Sequence, residues 1–230
     1  FLPISSFLFV TTDKYEARAL EIKDDSRKVF LVGALSIENL ENLKYYTIQE
    51  FFEEFRIDLN RPTILTTFHP ETISLAKNEQ YAEQLIESLD ELRETYQIII
   101  TMPNSDTLGD MIRKKVISFA KGLEEVKLVE SFGMRGYLSC MKHCSILLGN
   151  TSSGFVEASY FPKKVINLGN RQSGRIVSKN IFNCPVEKDS IIKAVRRFEK
   201  FPLEKIGNIY KRGNAADNII EIILKLKLKS

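Results

Sequence analysis

From Arg61 onward, short apolar runs alternate with longer amphipathic segments, and this alternation constrains the fold more than any other feature. The apolar runs are rich in β-branched residues and predict strands at Thr63–Thr67, Gln97–Thr101, Val126–Val129, Ser145–Leu148 and Lys164–Leu168. The intervening segments predict helices near Ser74–Thr95, Thr107–Gly122, Gly136–His143 and Ser152–Phe161. Strand, helix and strand at this spacing pair in parallel through right-handed crossovers. The sequence therefore predicts the α/β class, with a Rossmann-like parallel sheet that carries helices on both faces.

Periodic patterns also lie on either side of this region. Ser6–Thr12 and Lys28–Gly33 predict strands, and Asp13 is a capping residue for a helix that extends to about Lys23. Further helices are predicted at Asp189–Phe198 and Ala215–Lys227. Between residues 34 and 60 the sequence becomes polar, aromatic and acidic, and one amphipathic helix is indicated by the helical spacing of Ile48, Phe51, Phe52 and Phe55.

Composition limits the classes of partner. The chain has 230 residues, of which 43% are hydrophobic and 27% charged, as in an ordinary globular protein. The formal charge of +3 is too small to indicate nucleic acid, and we see neither a run long enough to span a bilayer nor a signal-peptide pattern. Three cysteines, an odd number, are typical of a reducing compartment. We therefore expect a cytoplasmic protein that binds neither nucleic acid nor membranes.

A small, hydroxyl-rich turn separates the fourth predicted strand of the alternating region from the helix that follows it. A strand that ends at such a turn exposes the first backbone N–H groups of the next helix, and these groups suit an anion such as phosphate. Thr151, Ser152 and Ser153 can cap the helix or donate their hydroxyls, and Gly154 lets a ligand approach the backbone. Glu157 falls in the first helical turn, within reach of a ribose. An ordinary, well-capped strand-to-helix turn is the alternative interpretation.

A second polar segment, with two arginines, follows the next predicted strand. The apolar run Val165–Gly169 continues directly into Asn170–Arg175, which contains Arg171 and Arg175. In a parallel sheet the carboxyl ends of neighbouring strands form one crevice, where ligands bind. Arginine offers a fixed fork of donors that matches phosphate geometry. One helix amino terminus and two arginines at the same crevice favour a diphosphate site.

Two more candidate residues follow the first two strands of this region. His69 precedes Pro70, which biases it toward an extended conformation, so its imidazole should stand at the carboxyl end of the strand. There it can donate to a phosphate or a sugar hydroxyl, or else it satisfies its own turn. Asn104 is a candidate ligand-binding residue, whereas Asp106 is interpreted as the cap of the helix that begins at Thr107.

These segments also carry a family resemblance. Gly149–Ala158, with the sequence GNTSSGFVEA, and Ile166–Arg175, with the sequence INLGNRQSGR, closely resemble the hydrolysing UDP-N-acetylglucosamine 2-epimerases. Thr66–Thr72, Met102–Asp106 and Val32–Asn39 fit the same family in the same order, and the resemblance extends from about residue 5 to residue 216. Members of this family release N-acetylmannosamine or a relative for sialic-acid-like sugars and surface polysaccharides.

The resemblance implies the GT-B arrangement of two similar α/β domains. Residues 1–60 would be the end of the amino-terminal domain and the interdomain connection, and residues 61–230 the carboxyl-terminal UDP-binding domain, with a final helix that crosses back. Because the chain opens on Phe1 inside an apolar stretch, we expect a truncated chain that carries the nucleotide-binding half. Much of the family's acid–base machinery would lie in the missing half, and the full-length protein would be a homodimer.

The resemblance also implies a role for each candidate residue. The turn holds the diphosphate through its backbone and hydroxyls, and its members are Thr151, Ser152, Ser153 and Gly154. Glu157 binds the ribose hydroxyls, and Arg171 and His69 face the phosphate and the sugar. His69 and Glu157 are the candidate catalytic residues. Removal of the C2 proton of the sugar also requires a base, and no residue of this chain is assigned to that role. No cofactor is expected.

Tyr137 is the candidate residue for the nucleotide base. The family places an aromatic ring near this position against uracil, and Phe132 is an alternative stacking residue. Packing in the core, with Leu138 and Met141, is the other interpretation of Tyr137. A metal site formed by Cys140, His143 and Cys144 is improbable, because His69 and Cys184 stand alone and cannot complete a tetrahedral shell, so buried thiols are expected.

Three other functions remain open at the level of sequence. One is a substrate that carries N,N′-diacetylbacillosamine in place of N-acetylglucosamine, which stays open because the resemblance implies a sugar pocket shared with the missing half. A GT-B glycosyltransferase that uses a UDP-sugar would have the same fold. The chain could also be a UDP-binding module without catalysis.

Overall fold

The computed structural model describes residues 5–23, 25–71, 75–103, 107–202 and 208–227. The strands are β1 (Leu8–Val10), β2 (Val29–Leu31), β3 (Thr63–Thr67), β4 (Gln97–Thr101), β5 (Val126–Val129), β6 (Ile146–Gly149), β7 (Lys164–Leu168) and β8 (Ile181–Cys184). The α-helices are α1 (Asp13–Lys23), α2 (Leu35–Asn42), α3 (Ile48–Phe55), α4 (Asn78–Leu92), α5 (Thr107–Ala120), α6 (Gly133–His143), α7 (Glu157–Tyr160), α8 (Lys188–Glu199) and α9 (Ala215–Lys227). Single 3-10 turns lie at Ser26–Lys28, Leu75–Lys77 and Ser152–Gly154.

The chain divides into two compact units. The smaller unit combines Phe1–Leu43 with Gly207–Ser230, and the larger unit comprises Lys44–Ile206. In the smaller unit β1 and β2 pair in parallel over a small core of Leu8, Ala19 and Val29. The interpretation of residues 1–60 as the end of an amino-terminal domain plus a connection stays a prediction.

The larger unit contains a parallel sheet with the strand order β5-β4-β3-β6-β7-β8. The chain builds outward from β3 to β4 and β5, then returns to the other side of β3 and continues through β6, β7 and β8. Strand order therefore reverses between β3 and β6, which pair in parallel from Ile64 beside Ile146 to Thr67 beside Gly149. In an open α/β sheet this switch point is where the crevice for a ligand forms.

Burial explains why the central strands read as continuous apolar runs. Every residue of β3, β4 and β6 is buried, because helices cover both faces of the sheet. One face packs against α4, α5 and α8 and is formed by alternate strand residues such as Ile64, Ile98, Leu148 and Ile166. This arrangement confirms the predicted α/β class with a parallel sheet between two layers of helices.

Two elements were not predicted, and one was predicted wrongly. β8 is a four-residue edge strand that is buried only at its two ends and includes the exposed Asn183, so it lacks the continuous apolar run of its neighbours. The segment of α2 was interpreted as part of a connection because the sequence after residue 34 becomes polar, aromatic and acidic, and its amino-terminal cap, Ala34, makes no side-chain capping bond that would mark a helix start. The predicted helix Ser152–Phe161 is broken into the 3-10 turn Ser152–Gly154 and the four-residue α7, since serine and glycine are poor interior helix residues.

A membrane-spanning helix is not among the elements of the described ranges. In those residues no helix combines the length and the apolar character that a bilayer crossing requires.

Candidate functional site

The carboxyl ends of β3 and β6 approach each other closely at the switch point. Gly149, the last residue of β6, has φ of +150°, and a Cβ atom there would lie 2.0 Å from the backbone oxygen of Thr67. The backbone N–H of Asn150 donates to the same oxygen, at 3.1 Å. Only glycine permits this approach, and it brings the segments that follow the two strands into direct contact.

Asn150 joins the two strand ends through its side chain. The backbone N–H of His69 donates to Oδ1 of Asn150, and Nδ2 of Asn150 donates to the backbone oxygen of His69, both at 2.7 Å. Asn150 is fully buried, whereas His69 is only partly buried. The amide side chain thus fixes the backbone of His69 from both sides, at the point where the chain leaves β3.

The segment after β7 is attached to the same asparagine. Nη1 of Arg171 donates to the backbone oxygen of Asn150 at 3.1 Å, and Nε2 of the buried Gln172 donates to that oxygen at 2.8 Å. The side chain of Arg171 is otherwise exposed to solvent. The structure therefore brings together His69, Arg171 and the turn that begins after Asn150.

The turn Thr151–Gly154 is held by its own hydroxyls. Oγ1 of Thr151 accepts from the backbone N–H of Ser153 at 3.4 Å and lies 3.1 Å from the Ser153 hydroxyl. The Tyr137 hydroxyl lies 2.7 Å from Oγ of Ser153. Gly154 is buried, and a Cβ atom there would lie 2.9 Å from Val165, whereas Ser152 is exposed. These residues form a compact turn with hydroxyls and backbone N–H groups at the crevice.

The contribution of a helix dipole at this turn is smaller than the sequence suggested. The dipole argument requires a helix that starts at Ser152, but α7 has four residues and starts at Glu157. A macrodipole grows with the number of aligned peptide units, so a helix of one turn supplies little of it. Local donors, together with the arginine, are what the turn can offer an anion.

Glu157 is a partly buried carboxyl group next to the turn. Burial raises its pKa above the usual range for glutamate, while its own backbone N–H and the positive charge of Arg175 act in the opposite direction. The two arginines after β7 therefore differ. Arg171 contacts the backbone after β6, and Arg175 exerts its charge on Glu157.

The two candidate aromatic rings lie in different surroundings. Phe132 is buried in an aromatic cluster, with its ring centroid 5.4 Å from that of Phe51 and 4.9 Å from that of Phe55. Tyr137 is partly buried, and burial raises the pKa of its hydroxyl. Phe132 is thus occupied by core packing, and the assignment of Tyr137 to the base stays a prediction.

The remaining candidates are the polar residues after β4 and the cysteine pair of α6. Asn104 and Asp106 lie outside the described residues. Cys140 and Cys144 are buried free thiols, and burial raises both pKa values, that of Cys144 to about 12. Within the described ranges, no group of three or more histidine, cysteine, aspartate or glutamate side chains is arranged to hold a metal ion.

Two residues of the network were not singled out from sequence. Asn150 and Gln172 appear in the sequence only as polar members of polar turns, yet both are buried and meet at one carbonyl oxygen. The available signal was that an asparagine directly after a fully buried strand must satisfy its amide internally.

The fold and the polar turns at its switch point define a doubly wound α/β unit of the Rossmann type, the class whose ligand crevice lies at the carboxyl ends of the strands. The family model described as UDP-N-acetylglucosamine 2-epimerase matches residues 3–224, and the chain belongs to this family.

The chain is also similar to named relatives and, in fold, to solved structures. The chain is 30% identical over 224 residues to the polysialic acid biosynthesis protein P7 of Escherichia coli, covering 96% of this chain and 57% of that protein. It is 26% identical to a hydrolysing UDP-N,N′-diacetylbacillosamine 2-epimerase of Legionella pneumophila, covering 99% and 59%. The Neisseria meningitidis UDP-N-acetylglucosamine 2-epimerase bound to UDP-N-acetylglucosamine superposes with a TM-score of 0.82 at 22% identity, covering 97% and 62%.

A second solved structure supports the same fold. The Methanocaldococcus jannaschii 2-epimerase, in complex with UDP-N-acetylglucosamine and UDP, has a TM-score of 0.76 at 19% identity, covering 96% of this chain and 62% of its own. The chain thus spans between 57% and 62% of the length of these four relatives.

Proposed function

We propose that the chain is the UDP-binding part of a hydrolysing UDP-N-acetylglucosamine 2-epimerase. The observation that carries this proposal is the network centred on Asn150, which holds His69, Arg171 and the hydroxyl-rich turn at the switch point of the sheet. An exposed guanidinium, an imidazole and a hydroxyl-rich turn suit a diphosphate followed by a sugar.

The residues predicted for the diphosphate, the ribose and the sugar have these roles in the proposal. The turn Thr151–Gly154 and Arg171 bind the diphosphate, and Glu157 accepts from the ribose hydroxyls. His69 faces the phosphate and the sugar. The solved relatives from Neisseria meningitidis and Methanocaldococcus jannaschii were obtained with UDP-N-acetylglucosamine, which supports a ligand of this class.

The proposed reaction has two steps. UDP is eliminated across C1 and C2 of the sugar to leave a glycal, and water then adds so that the configuration at C2 is inverted. The products are UDP and N-acetylmannosamine. Stabilisation of the leaving diphosphate is electrostatic work that an arginine and a turn of donors can perform. We assign no residue of the chain as the base that removes the C2 proton.

The natural substrate has a second candidate. Relatives from Campylobacter jejuni and Legionella pneumophila, 28% and 26% identical, carry names that specify N,N′-diacetylbacillosamine. The name of the Escherichia coli relative specifies polysialic acid biosynthesis. The bacillosamine names and the polysialic acid name support a role in making a precursor for a sialic-acid-like sugar or a surface polysaccharide.

Calorimetry tests the nucleotide site. The chain should bind UDP and should bind UMP more weakly, because UMP lacks the second phosphate, and free N-acetylglucosamine should bind least. Binding of the free sugar without binding of UDP would overturn the proposal.

The reaction is tested with the full-length protein, a UDP-sugar and no acceptor. Release of UDP together with the free 2-epimeric sugar supports an epimerase. Turnover that depends on an added acceptor would instead establish a glycosyltransferase. Parallel assays with the N-acetylglucosamine and the N,N′-diacetylbacillosamine nucleotides decide the substrate.

A further inference from the structure

A buried carboxylate lies beneath the segment that carries Arg171. Glu71 is 3% exposed, and its Oε1 accepts from the backbone N–H of Asn170 at 2.8 Å and of Arg171 at 3.2 Å. Because a buried carboxylate must be satisfied by donors, these two N–H groups are tightly coupled to its position. One oxygen atom thus organises the backbone on which the arginine side chain stands.

The backbone of Glu71 is itself clamped. Its N–H donates to Oδ1 of Asn78 at 2.8 Å, and Nδ2 of Asn78 donates to its carbonyl oxygen at 3.0 Å. Asn78 is 1% exposed and is the first residue of α4, which packs into the core. The carboxylate therefore projects from a rigid anchor rather than from a loose loop.

The backbone of Gly169 lies close to Oε1 of Glu71. Its φ is +67°, and a Cβ atom at this position would lie 2.3 Å from Oε1 of Glu71. The absence of a side chain at Gly169 is what allows the carboxylate to reach the next two N–H groups. Three consecutive residues, Gly169 to Arg171, are thus fitted to one carboxylate oxygen.

The carboxylate and the guanidinium have different partners. Glu71 contacts the backbone of Arg171, whereas the guanidinium contacts the neutral carbonyl oxygen of Asn150. The negative charge is therefore satisfied by peptide N–H groups, and the positive charge of the side chain remains available to an anion.

We propose that Glu71 is a positioning residue that acts through Arg171: it fixes the backbone after β7 so that the guanidinium stands beside the turn Thr151–Gly154. This inference rests on the proposed function, since it concerns the same diphosphate site. It adds a buried carboxylate that touches no substrate and yet sets the affinity for the diphosphate.

A double-mutant cycle tests the inference. UDP affinity is measured by calorimetry for the unaltered chain, Glu71→Gln, Arg171→Ala and the double variant. Glu71→Gln keeps the volume and an acceptor oxygen but removes the charge that strengthens both hydrogen bonds, so we expect UDP affinity to fall about tenfold. In the Arg171→Ala background the same change should cost less than about twofold, because the residue it positions is gone.

A matched control and a ligand-free readout accompany the cycle. Glu187 is an exposed carboxylate that lines a surface cavity together with Asn170, and Glu187→Gln should leave UDP affinity unchanged. Amide hydrogen exchange at Asn170 and Arg171 should accelerate in Glu71→Gln without any ligand, and far-UV circular dichroism checks the fold. If Glu71→Gln does not fold, Glu71→Asp, which keeps the charge but shortens the reach, is expected to show the same pattern.

The outcomes separate the two proposals. If the unaltered chain does not bind UDP, the proposed function fails, and hydrogen exchange still decides whether Glu71 orders the segment. If UDP binds and the loss caused by Glu71→Gln is equally large with and without Arg171, Glu71 acts on stability in general and the inference is wrong. Unchanged affinity and unchanged exchange in Glu71→Gln would also overturn it.

Discussion

Replacement of Asn150 by aspartate should break the junction between the ends of β3 and β6. The two side chains have the same shape, but aspartate places an oxygen where Nδ2 now donates to the backbone oxygen of His69, 2.7 Å away. Two acceptors then face each other at a position that is fully buried. The packing is unchanged, so the experiment isolates the hydrogen bond from the volume of the side chain.

The magnitude follows from the contacts that are lost. The carbonyl oxygen of His69 loses its donor, which costs about 1–3 kcal/mol for a buried group. The new carboxylate is desolvated, and the nearby guanidinium of Arg171 contacts the backbone oxygen of residue 150 rather than its side chain. Together these effects should lower the free energy of unfolding by about 3–5 kcal/mol at pH 7, a large share of the stability of an ordinary domain. Urea unfolding measures this difference.

The effect should depend on pH with a defined sign. Burial and the facing carbonyl raise the folded-state pKa of the introduced carboxyl above its unfolded value of roughly 3.9. A group with a raised folded pKa is tolerated best below the unfolded pKa, and the loss of stability grows as pH rises through the folded pKa. We therefore expect the gap between Asn150→Asp and the unaltered chain to be smallest near pH 4, where the protonated carboxyl can donate to His69.

Asn183→Asp is the matched control. Oδ1 of the exposed Asn183 accepts from Nδ2 of Asn167 at 2.9 Å, and an aspartate preserves that acceptor. Its free energy of unfolding should change by less than about 0.5 kcal/mol. Equal stability of Asn150→Asp and the unaltered chain at pH 7 would refute the reasoning, because the Asn150 side chain would then not join the two strand ends.

Three further predictions concern the ligand. Arg171→Ala should weaken UDP binding by about 1–2 kcal/mol, which is less than the roughly 2–5 kcal/mol of a buried charged contact because the side chain is exposed. Arg175→Ala should have the smaller effect, and equal effects in calorimetry would contradict the distinct surroundings of the two arginines. Because burial raises the pKa of Glu157, its carboxylate should protonate at a higher pH than an ordinary glutamate, whose pKa is roughly 4.3, and UDP affinity should begin to fall there as the pH decreases. Glu157→Gln should remove this part of the pH dependence and keep the part that comes from the UDP phosphate. An identical pH profile in the variant would contradict the ribose role. The chain by itself should not convert UDP-N-acetylglucosamine, because none of its residues is assigned as the base that removes the C2 proton. Release of N-acetylmannosamine by the purified chain at an ordinary enzymatic rate would contradict this, and His69 or Glu157 would then have to be reconsidered as that base.

The parts of the fold that could be predicted from sequence are those whose physics is local. β3, β4 and β6 are buried on both faces, and strands of this kind consist largely of consecutive apolar residues, which can be recognised in the sequence. The capping box that begins α3, in which Thr47 and Glu50 bond reciprocally, belongs to a segment with clear helical spacing. β8 and α2 lack such signals, since β8 has four residues that include the exposed Asn183, and α2 lies in the polar and acidic stretch after residue 34.

The candidate site divides in the same way. Sequence alone determined which residues could meet an anion: a hydroxyl-rich turn after one strand, an arginine after the next and a histidine after a third all belong to the carboxyl edge of a parallel sheet. Only the tertiary structure decided how these groups are held. Asn150 lies 81 positions from His69, and Glu71 lies 99 positions from Asn170, so the two hydrogen-bonded junctions of the site exist only once the strands have paired. Sequence spacing carries no record of such contacts, because the register of the sheet brings their partners together, whereas local helix and strand patterns arise from neighbours in the chain.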